Sequence, residues 1–69
     1  MVATRRNRLI EFRRARTLTQ AEMADQLAIS VPQMSRLETG KRDPRAPLLK
    51  QFASTYNLDL PAVWSLFFE

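Results

Sequence analysis

The side chains best suited to specific chemistry in this chain are Gln33 and Arg36, which lie three residues apart. Arginine can pair with O6 and N7 of guanine through two hydrogen bonds, and glutamine can pair with N6 and N7 of adenine. Met34 and Leu37 alternate with them, so a helix that buries the two apolar residues turns the two polar ones outward. The alternative interpretation is that Gln33 and Arg36 are ordinary polar residues facing solvent.

Catalytic and metal-binding chemistry has little support in the composition. The chain has no cysteine and no histidine, which removes disulfides, thiolate chemistry and the commonest metal ligand and general base. Its seven acidic residues form no pair at a catalytic spacing. We therefore expect no enzymatic activity, no metal, no cofactor and no small-molecule ligand.

Two capping boxes mark the elements that must position the polar pair. Thr19 stands three residues before Glu22, and Ser30 stands three before Gln33. In a capping box the hydroxyl accepts from a free N–H of the first helical turn, and the acid or amide reaches back. Residues 19–40 are thus predicted to form two short helices joined by a tight turn. Across the chain we predict helices at about 4–15, 20–27, 31–39, 46–56 and 60–68, after a frayed tail at 1–3.

The charge is distributed unevenly along the chain. The net charge is +4; residues 1–16 carry six arginines against Glu11 alone, whereas residues 51–69 carry two acidic residues and no basic one. A basic first helix suits contact with a polyanion, or it is simply a solvated surface. Its predicted inward residues are Leu9, Phe12 and Arg13, and its predicted outward residues are Arg5, Arg6, Arg8 and Arg14.

A larger set of residues agrees with a known pattern in both type and spacing: Gln20, Ala21, Glu22, Met23, Ala24, Leu27, Ile29, Ser30, Met34, Leu37, Glu38 and Gly40. This set resembles the helix-turn-helix of the Cro/C1-type (XRE) family of DNA-binding repressors, and the similarity extends over about residues 5–64. Three positions depart from the family. Ala28 replaces the turn glycine, Thr39 replaces an asparagine, and Pro32 lies in the first turn of the second helix of the motif.

The resemblance implies an all-α, compact five-helix, lambda-repressor-like DNA-binding domain spanning residues 1–69. Its recognition helix would enter the major groove of double-stranded DNA. It also implies an internal ion pair between Arg13 and Glu38. The expected base-reading residues are Val31, Pro32, Gln33 and Arg36, and the expected phosphate contacts are Gln20, Ser35, Thr39, Lys41, Arg42 and Arg45.

The C-terminal segment LPAVWSLFFE carries more large apolar side chains than one face of a short helix can hide. Three of them are expected to pack on the core: Leu60, Val63 and Phe67. Exposed apolar patches of this kind mark interfaces, and a symmetric dimer is the simplest one. The alternative is that the whole segment folds inside. The predicted homodimer contact consists of Trp64, Leu66, Phe67 and Phe68.

The function that the resemblance implies is a sequence-specific transcriptional regulator, a repressor that binds a palindromic operator as a homodimer. A phage Cro-like repressor, a restriction–modification controller and the DNA-binding module of an antitoxin share this signature. One alternative is a protein-interaction adaptor that uses the apolar C-terminal end. Another is a membrane-surface protein that uses the basic first helix. The chain has no apolar run of about 20 residues and no signal peptide, so we expect a cytoplasmic protein without a membrane partner.

Overall fold

A computed structural model describes residues 5–69 of the chain. Within this range the structure is all-α, as predicted. The predicted tail at 1–3 and the predicted helix start at Thr4 lie outside the described residues. Arg5 and Arg6 precede the first helix. The five helices are α1 (Asn7–Ala15), α2 (Gln20–Leu27), α3 (Val31–Glu38), α4 (Ala46–Tyr56) and α5 (Leu60–Phe68).

Both predicted capping boxes are present. The backbone N–H of Glu22 donates to the Thr19 hydroxyl at 3.1 Å, and the Glu22 carboxylate accepts from the Thr19 N–H at 2.8 Å. Ser30 and Gln33 exchange the equivalent bonds at 3.2 and 2.8 Å. Each box satisfies donors that a helix start otherwise leaves unpaired, so both helices of the motif begin where the sequence predicts.

Left-handed residues follow the ends of both helices of the motif, α2 and α3. Ala28 has φ 59°, and its neighbour Ile29 donates from its N–H to the carbonyl of Ala24 at 2.9 Å. Gly40 has φ 76° and follows the end of α3. Alanine adopts this region at a cost that glycine does not incur. The departure from the family's turn glycine therefore leaves the turn intact and mildly strained.

All five helices contribute to one core centred on Phe52, which is completely buried. Its ring centroid lies 5.6 Å from that of Phe67 and 5.0 Å from that of Tyr56. Ile10 of α1 is also buried, which the sequence pattern did not predict. The core cluster consists of Leu9, Met23, Ala24, Leu27, Met34, Leu37, Phe52, Val63 and Phe67.

Helix α5 packs against α1 and α4. Val63 and Phe67 are buried, as expected, but Leu60 is 52% exposed and its predicted core position is wrong. Leu60 is the first residue of α5, one turn before the buried stretch begins. It instead shares a helix face with Trp64 and Phe68, at successive spacings of four. Across the described residues, no helix is long and apolar enough to cross a membrane.

Candidate nucleic-acid interface

Helix α3 separates its buried and exposed faces as the sequence predicts. Met34 and Leu37 are 0% and 3% exposed. On the opposite side Val31, Pro32 and Arg36 are exposed. Three of the four predicted base-reading residues therefore lie on one accessible face of a helix whose other face is anchored in the core.

Gln33 is the fourth predicted base-reading residue, and it is half-buried. Its side-chain oxygen accepts the capping bond from the N–H of Ser30 at 2.8 Å. Pairing with adenine uses both the oxygen and the nitrogen of the amide. The oxygen can accept two hydrogen bonds, so a bidentate base contact would have to share it with the capping bond.

A basic loop follows α3 and comprises residues 41–45. The side chains of Lys41, Arg42 and Arg45 are exposed. The N–H groups of Lys41 and Arg42 donate to the carbonyl of Arg36 at 3.0 and 3.3 Å, which folds the loop back over the end of α3. Three exposed cations therefore follow directly on the end of α3, and their phosphate contacts stay a prediction.

Thr39, another predicted phosphate contact, already has hydrogen-bond partners. Thr39 donates its hydroxyl to the carbonyls of Ser35 and Arg36 at 3.0 and 3.3 Å, so it closes the helix end. The Ser35 side chain lies on the same turn and is half-buried. A phosphate accepts hydrogen bonds only, so Thr39 must give up a helix-end bond to donate to one.

Gln20, the first residue of α2, points into the protein. Its side-chain N–H donates to Oε1 of Glu38 at 2.9 Å. The bond braces α2 against the end of α3 and takes up one of the two donors of the amide. Helix bracing is therefore the role that the geometry of Gln20 shows, and its phosphate contact stays a prediction.

The predicted pair of Arg13 and Glu38 is present. Nε of Arg13 donates to Oε2 of Glu38 at 2.5 Å, and Nη2 donates to Oε1 at 3.2 Å. Arg13 also donates to the carbonyl of Leu18 at 2.9 Å. Glu38 is only 2% exposed. With the bond from Gln20, three donors thus surround one buried carboxylate, which is how a buried charge is tolerated.

Arg6 is another residue whose predicted position is wrong. It was predicted to face outward, but only 10% of its side chain is exposed. Its guanidinium donates to the carbonyls of Leu37, Arg42 and Phe67 and to Oδ1 of Asp43, at 2.6 to 2.9 Å. Arginines crowd this part of the sequence, and nothing in the local pattern distinguishes Arg6 from Arg5 or Arg8.

Other arginines of the basic segment also have internal contacts. Arg8 donates to the hydroxyl of Ser65 at 3.0 Å, which ties α1 to α5. The guanidinium carbon of Arg16 lies 4.4 Å from the Phe12 ring centroid and 5.1 Å from that of Tyr56. The positive charges of Arg8 and Arg16, which belong to the basic start of the chain, therefore also hold α1 in place.

The environment of Tyr56 shifts the pKa of its hydroxyl. Burial raises the pKa of its hydroxyl, and the nearby positive charge of Arg16 opposes that shift. The hydroxyl donates to Oε1 of Gln26 at 2.6 Å, which joins α4 to α2. The neutral form of the phenol is thus the one that the fold uses.

An apolar stripe, here called the α5 stripe, consists of Leu60, Trp64 and Phe68. These residues are 52%, 53% and 41% exposed. The Trp64 and Phe68 rings contact each other, with centroids 4.2 Å apart. Of the residues predicted for a dimer contact, Trp64 and Phe68 lie on the stripe and Leu66 is half-buried against the core. Phe67 does not qualify, because it is 4% exposed and belongs to the core.

The part of the chain that the structure describes contains no group of three or more potential metal-ligating side chains.

Comparison with known proteins gives one result. A family model described as a helix-turn-helix domain matches residues 6–64, from Arg6 to Trp64. No curated protein and no solved structure matches the chain.

Proposed function

The chain belongs to the helix-turn-helix domain family, and from this membership we propose that it is a sequence-specific transcriptional regulator, a repressor acting on the DNA of the cytoplasm. The observation that carries the proposal is α3. Its inner face is locked into the core by Met34 and Leu37, and its outer face presents Val31, Pro32 and Arg36 beside a basic loop. The members of this family are DNA-binding domains, and we propose no catalytic activity.

In the proposed complex α3 lies in the major groove of double-stranded DNA. Arg36 donates two hydrogen bonds to a guanine, and Val31 and Pro32 contact thymine methyl groups. Gln33 joins the base contacts through its amide, whose oxygen also accepts the capping bond from Ser30, so the cap limits the orientations in which this residue can meet an adenine.

Lys41, Arg42 and Arg45 supply the proposed phosphate contacts from the basic loop. Their exposure leaves the cations accessible. Such contacts position a protein on the duplex and make its affinity depend on salt, but they do not distinguish one sequence from another. Sequence preference therefore rests on α3 alone.

We propose that two copies associate through the α5 stripe. An exposed tryptophan next to an exposed phenylalanine is the type of surface that stable contacts bury. The only charged side chains of residues 51–69 are Asp59 and Glu69, so burial of this end sets few charges against one another. A two-fold dimer would match a palindromic operator whose half-sites are about 34–36 Å apart.

The experiment that tests the proposal is selection of bound sequences from a random duplex pool. We expect a short repeated half-site with fixed spacing, and an affinity that falls as salt rises. Arg36→Ala is the matched control, because it leaves the basic loop intact. Failure to enrich any sequence would contradict a sequence-specific regulator.

The α5 stripe also favours a second candidate, a protein-interaction adaptor for which DNA binding is secondary. Its exposed rings suit the burial of a partner's apolar surface as well as that of a second copy. The two candidates differ in salt-dependent binding to duplex DNA, which the adaptor does not need.

A further inference from the structure

Arg6 connects the start of the described chain to two distant segments, the end of α3 with the basic loop that follows it, and the end of α5. Nη1 donates to the carbonyl of Leu37 at the end of α3 and to that of Arg42 in the basic loop, at 2.6 and 2.9 Å. Nη2 donates to Oδ1 of Asp43 at 2.6 Å, and Nε donates to the carbonyl of Phe67 in α5 at 2.8 Å. Only the flat, five-donor guanidinium can serve four acceptors in such different directions.

The basic loop is held from two sides. At its start, the N–H groups of Lys41 and Arg42 share one acceptor, the carbonyl of Arg36. Further along, Arg6 donates to the Arg42 carbonyl and to Asp43. The Arg6 side chain is 10% exposed, so its guanidinium is fixed by the surrounding protein, while the Asp43 side chain that it holds is 76% exposed. Arg6 therefore helps to set where the exposed cations of the loop point.

The same guanidinium lies against the end of α5. Its central carbon is 5.8 Å from the ring centroid of Phe67 and 5.8 Å from that of Phe68. Phe68 belongs to the α5 stripe and its ring contacts Trp64. Any contact that moves the Phe68 ring or the end of α5 thus acts on the residue that holds the basic loop.

We propose that Arg6 is a positioning residue that sets the basic loop for phosphate contact and couples it to the α5 stripe. The proposal rests on the proposed function. A second copy docked on the stripe stabilises the end of α5, this stabilises the bonds of Arg6, and the loop becomes better ordered for DNA. Because coupling between two sites is reciprocal, DNA on the loop strengthens association through the stripe to the same extent.

The first test compares Arg6→Lys with Arg5→Lys. Both changes keep the net charge, so the attraction to DNA at long range is unchanged, but lysine cannot reproduce the four bonds. We expect Arg6→Lys to stay helical and to lose about tenfold in DNA affinity, the equivalent of one or two hydrogen bonds. Arg5→Lys should bind like the parent. Equal affinities for the two variants would overturn the positioning role.

The second test is a double-mutant cycle between Arg6→Lys and Trp64→Ala. Trp64 contacts the Phe68 ring, which in turn lies against Arg6, and losses of DNA affinity at independent sites would multiply when they are counted for each bound copy. The losses are counted per copy because a dimer places two loops on DNA and the Trp64→Ala monomer places one. We expect Arg6→Lys to cost at least threefold less per copy in the Trp64→Ala background, because the stripe then has nothing to transmit. Losses that multiply would remove the coupling.

Backbone amide resonances separate a failure of this proposal from a failure of DNA binding. Trp64→Ala should shift the amides of residues 41–43 in the parent background and leave them unmoved in the Arg6→Lys background. This readout needs no DNA. If no duplex is bound, the proposed function fails, and the amide shifts alone then decide whether the stripe is coupled to the loop. Loop amides that do not move in the parent background overturn this coupling.

A second variant covers the case in which Arg6→Lys does not fold. Asp43 is 76% exposed, so Asp43→Ala removes one of the two loop anchors of Arg6 without disturbing the core. The change also removes a negative charge, which by itself favours DNA, so the readout is the loop: we expect shifted amides at residues 41 and 42. An unchanged loop spectrum in this variant would contradict the proposal.

Discussion

Arg13 of α1 and Glu38 of α3 form a buried ion pair, with 2.5 Å between Nε and Oε2. The side chains are 12% and 3% exposed, and Gln20 donates a further bond to the same carboxylate. The pair fixes the end of α3 to two other helices. The exposed face of α3 therefore has a defined direction before any DNA is bound.

Removing one member of this pair should destabilise the fold. Arg13→Met leaves the Glu38 carboxylate buried without its charged partner, and we expect a loss of about 3–5 kcal/mol in the free energy of unfolding. The double variant Arg13→Met, Glu38→Leu should lose much less. Urea melts measure both, with Arg14→Met as the exposed neighbouring control. Simple addition of the two single losses would show that the residues do not interact.

Arg36 should determine one base of the recognised sequence. We expect Arg36→Ala to weaken specific binding by about 1–3 kcal/mol and to relax the preference at one base pair of the half-site. The measurement is sequence selection followed by titration of the preferred duplex. Arg14→Ala removes the same charge from exposed α1 and serves as the control. An unchanged consensus at unchanged affinity would make Arg36 a surface charge.

Arg42 and Arg45 should contribute affinity without sequence preference. Either change to alanine should weaken binding to all duplexes alike and reduce the slope of log affinity against log salt by about one for each phosphate that is no longer neutralised. The Arg42 bond to Arg6 uses the backbone carbonyl, so the substitution spares it. Lys50→Ala, on α4, is the control. A slope that stays at the parent value would take these side chains out of the interface.

Trp64 should govern assembly. Trp64→Ala or Phe68→Glu should give a folded monomer that binds a palindromic duplex far more weakly, because the stripe loses its main apolar area. Trp64→Phe keeps an aromatic ring and should still dimerise. Sedimentation at micromolar concentration measures the mass, and the fluorescence of the sole tryptophan reports its burial. A parent protein that remains monomeric both free and on palindromic DNA contradicts the dimer.

Tyr56 should make stability depend on alkaline pH. Burial raises the folded-state pKa of its hydroxyl above the ordinary value of about 10. Folding thus favours the neutral phenol. The contribution of the Tyr56 hydroxyl to the free energy of unfolding is complete below about pH 10 and is lost as the pH rises through the folded-state pKa. Absorbance titration of the single tyrosine should show this raised midpoint in native protein and the ordinary one in urea.

The control for this prediction is Tyr56→Phe. It removes the bond to Gln26 and should cost about 0.5–1.5 kcal/mol near neutral pH, since one hydrogen bond between α4 and α2 disappears. It should also flatten the melting temperature between about pH 9 and pH 11 relative to the parent. Equal tyrosine midpoints in native and urea-unfolded protein would show that burial does not act on this hydroxyl.

Much of the fold could be predicted because its signals are local. The capping boxes at Thr19 and Ser30, the left-handed residues at Ala28 and Gly40, and the two faces of α3 depend on residues three or four positions apart. Backbone donors at a helix start and the periodicity of the helix act over that same distance. The ion pair of Arg13 and Glu38 spans 25 positions, and only resemblance to a known family indicated it.

Only the tertiary structure decided which of the first three arginines turns its side chain inward. By itself the sequence determined five helices, a motif at 19–40 and a basic start, but it offered no local reason to choose Arg6 over Arg5 or Arg8. Arg6 is selected because folding brings the carbonyls of Leu37 and Phe67 together, 31 and 61 positions away. In α5 the same kind of choice buried Phe67 and left Leu60 outside. Helical periodicity predicts which residues share a face of a helix. The length and position of the neighbouring helices decide how far along each face the burial extends.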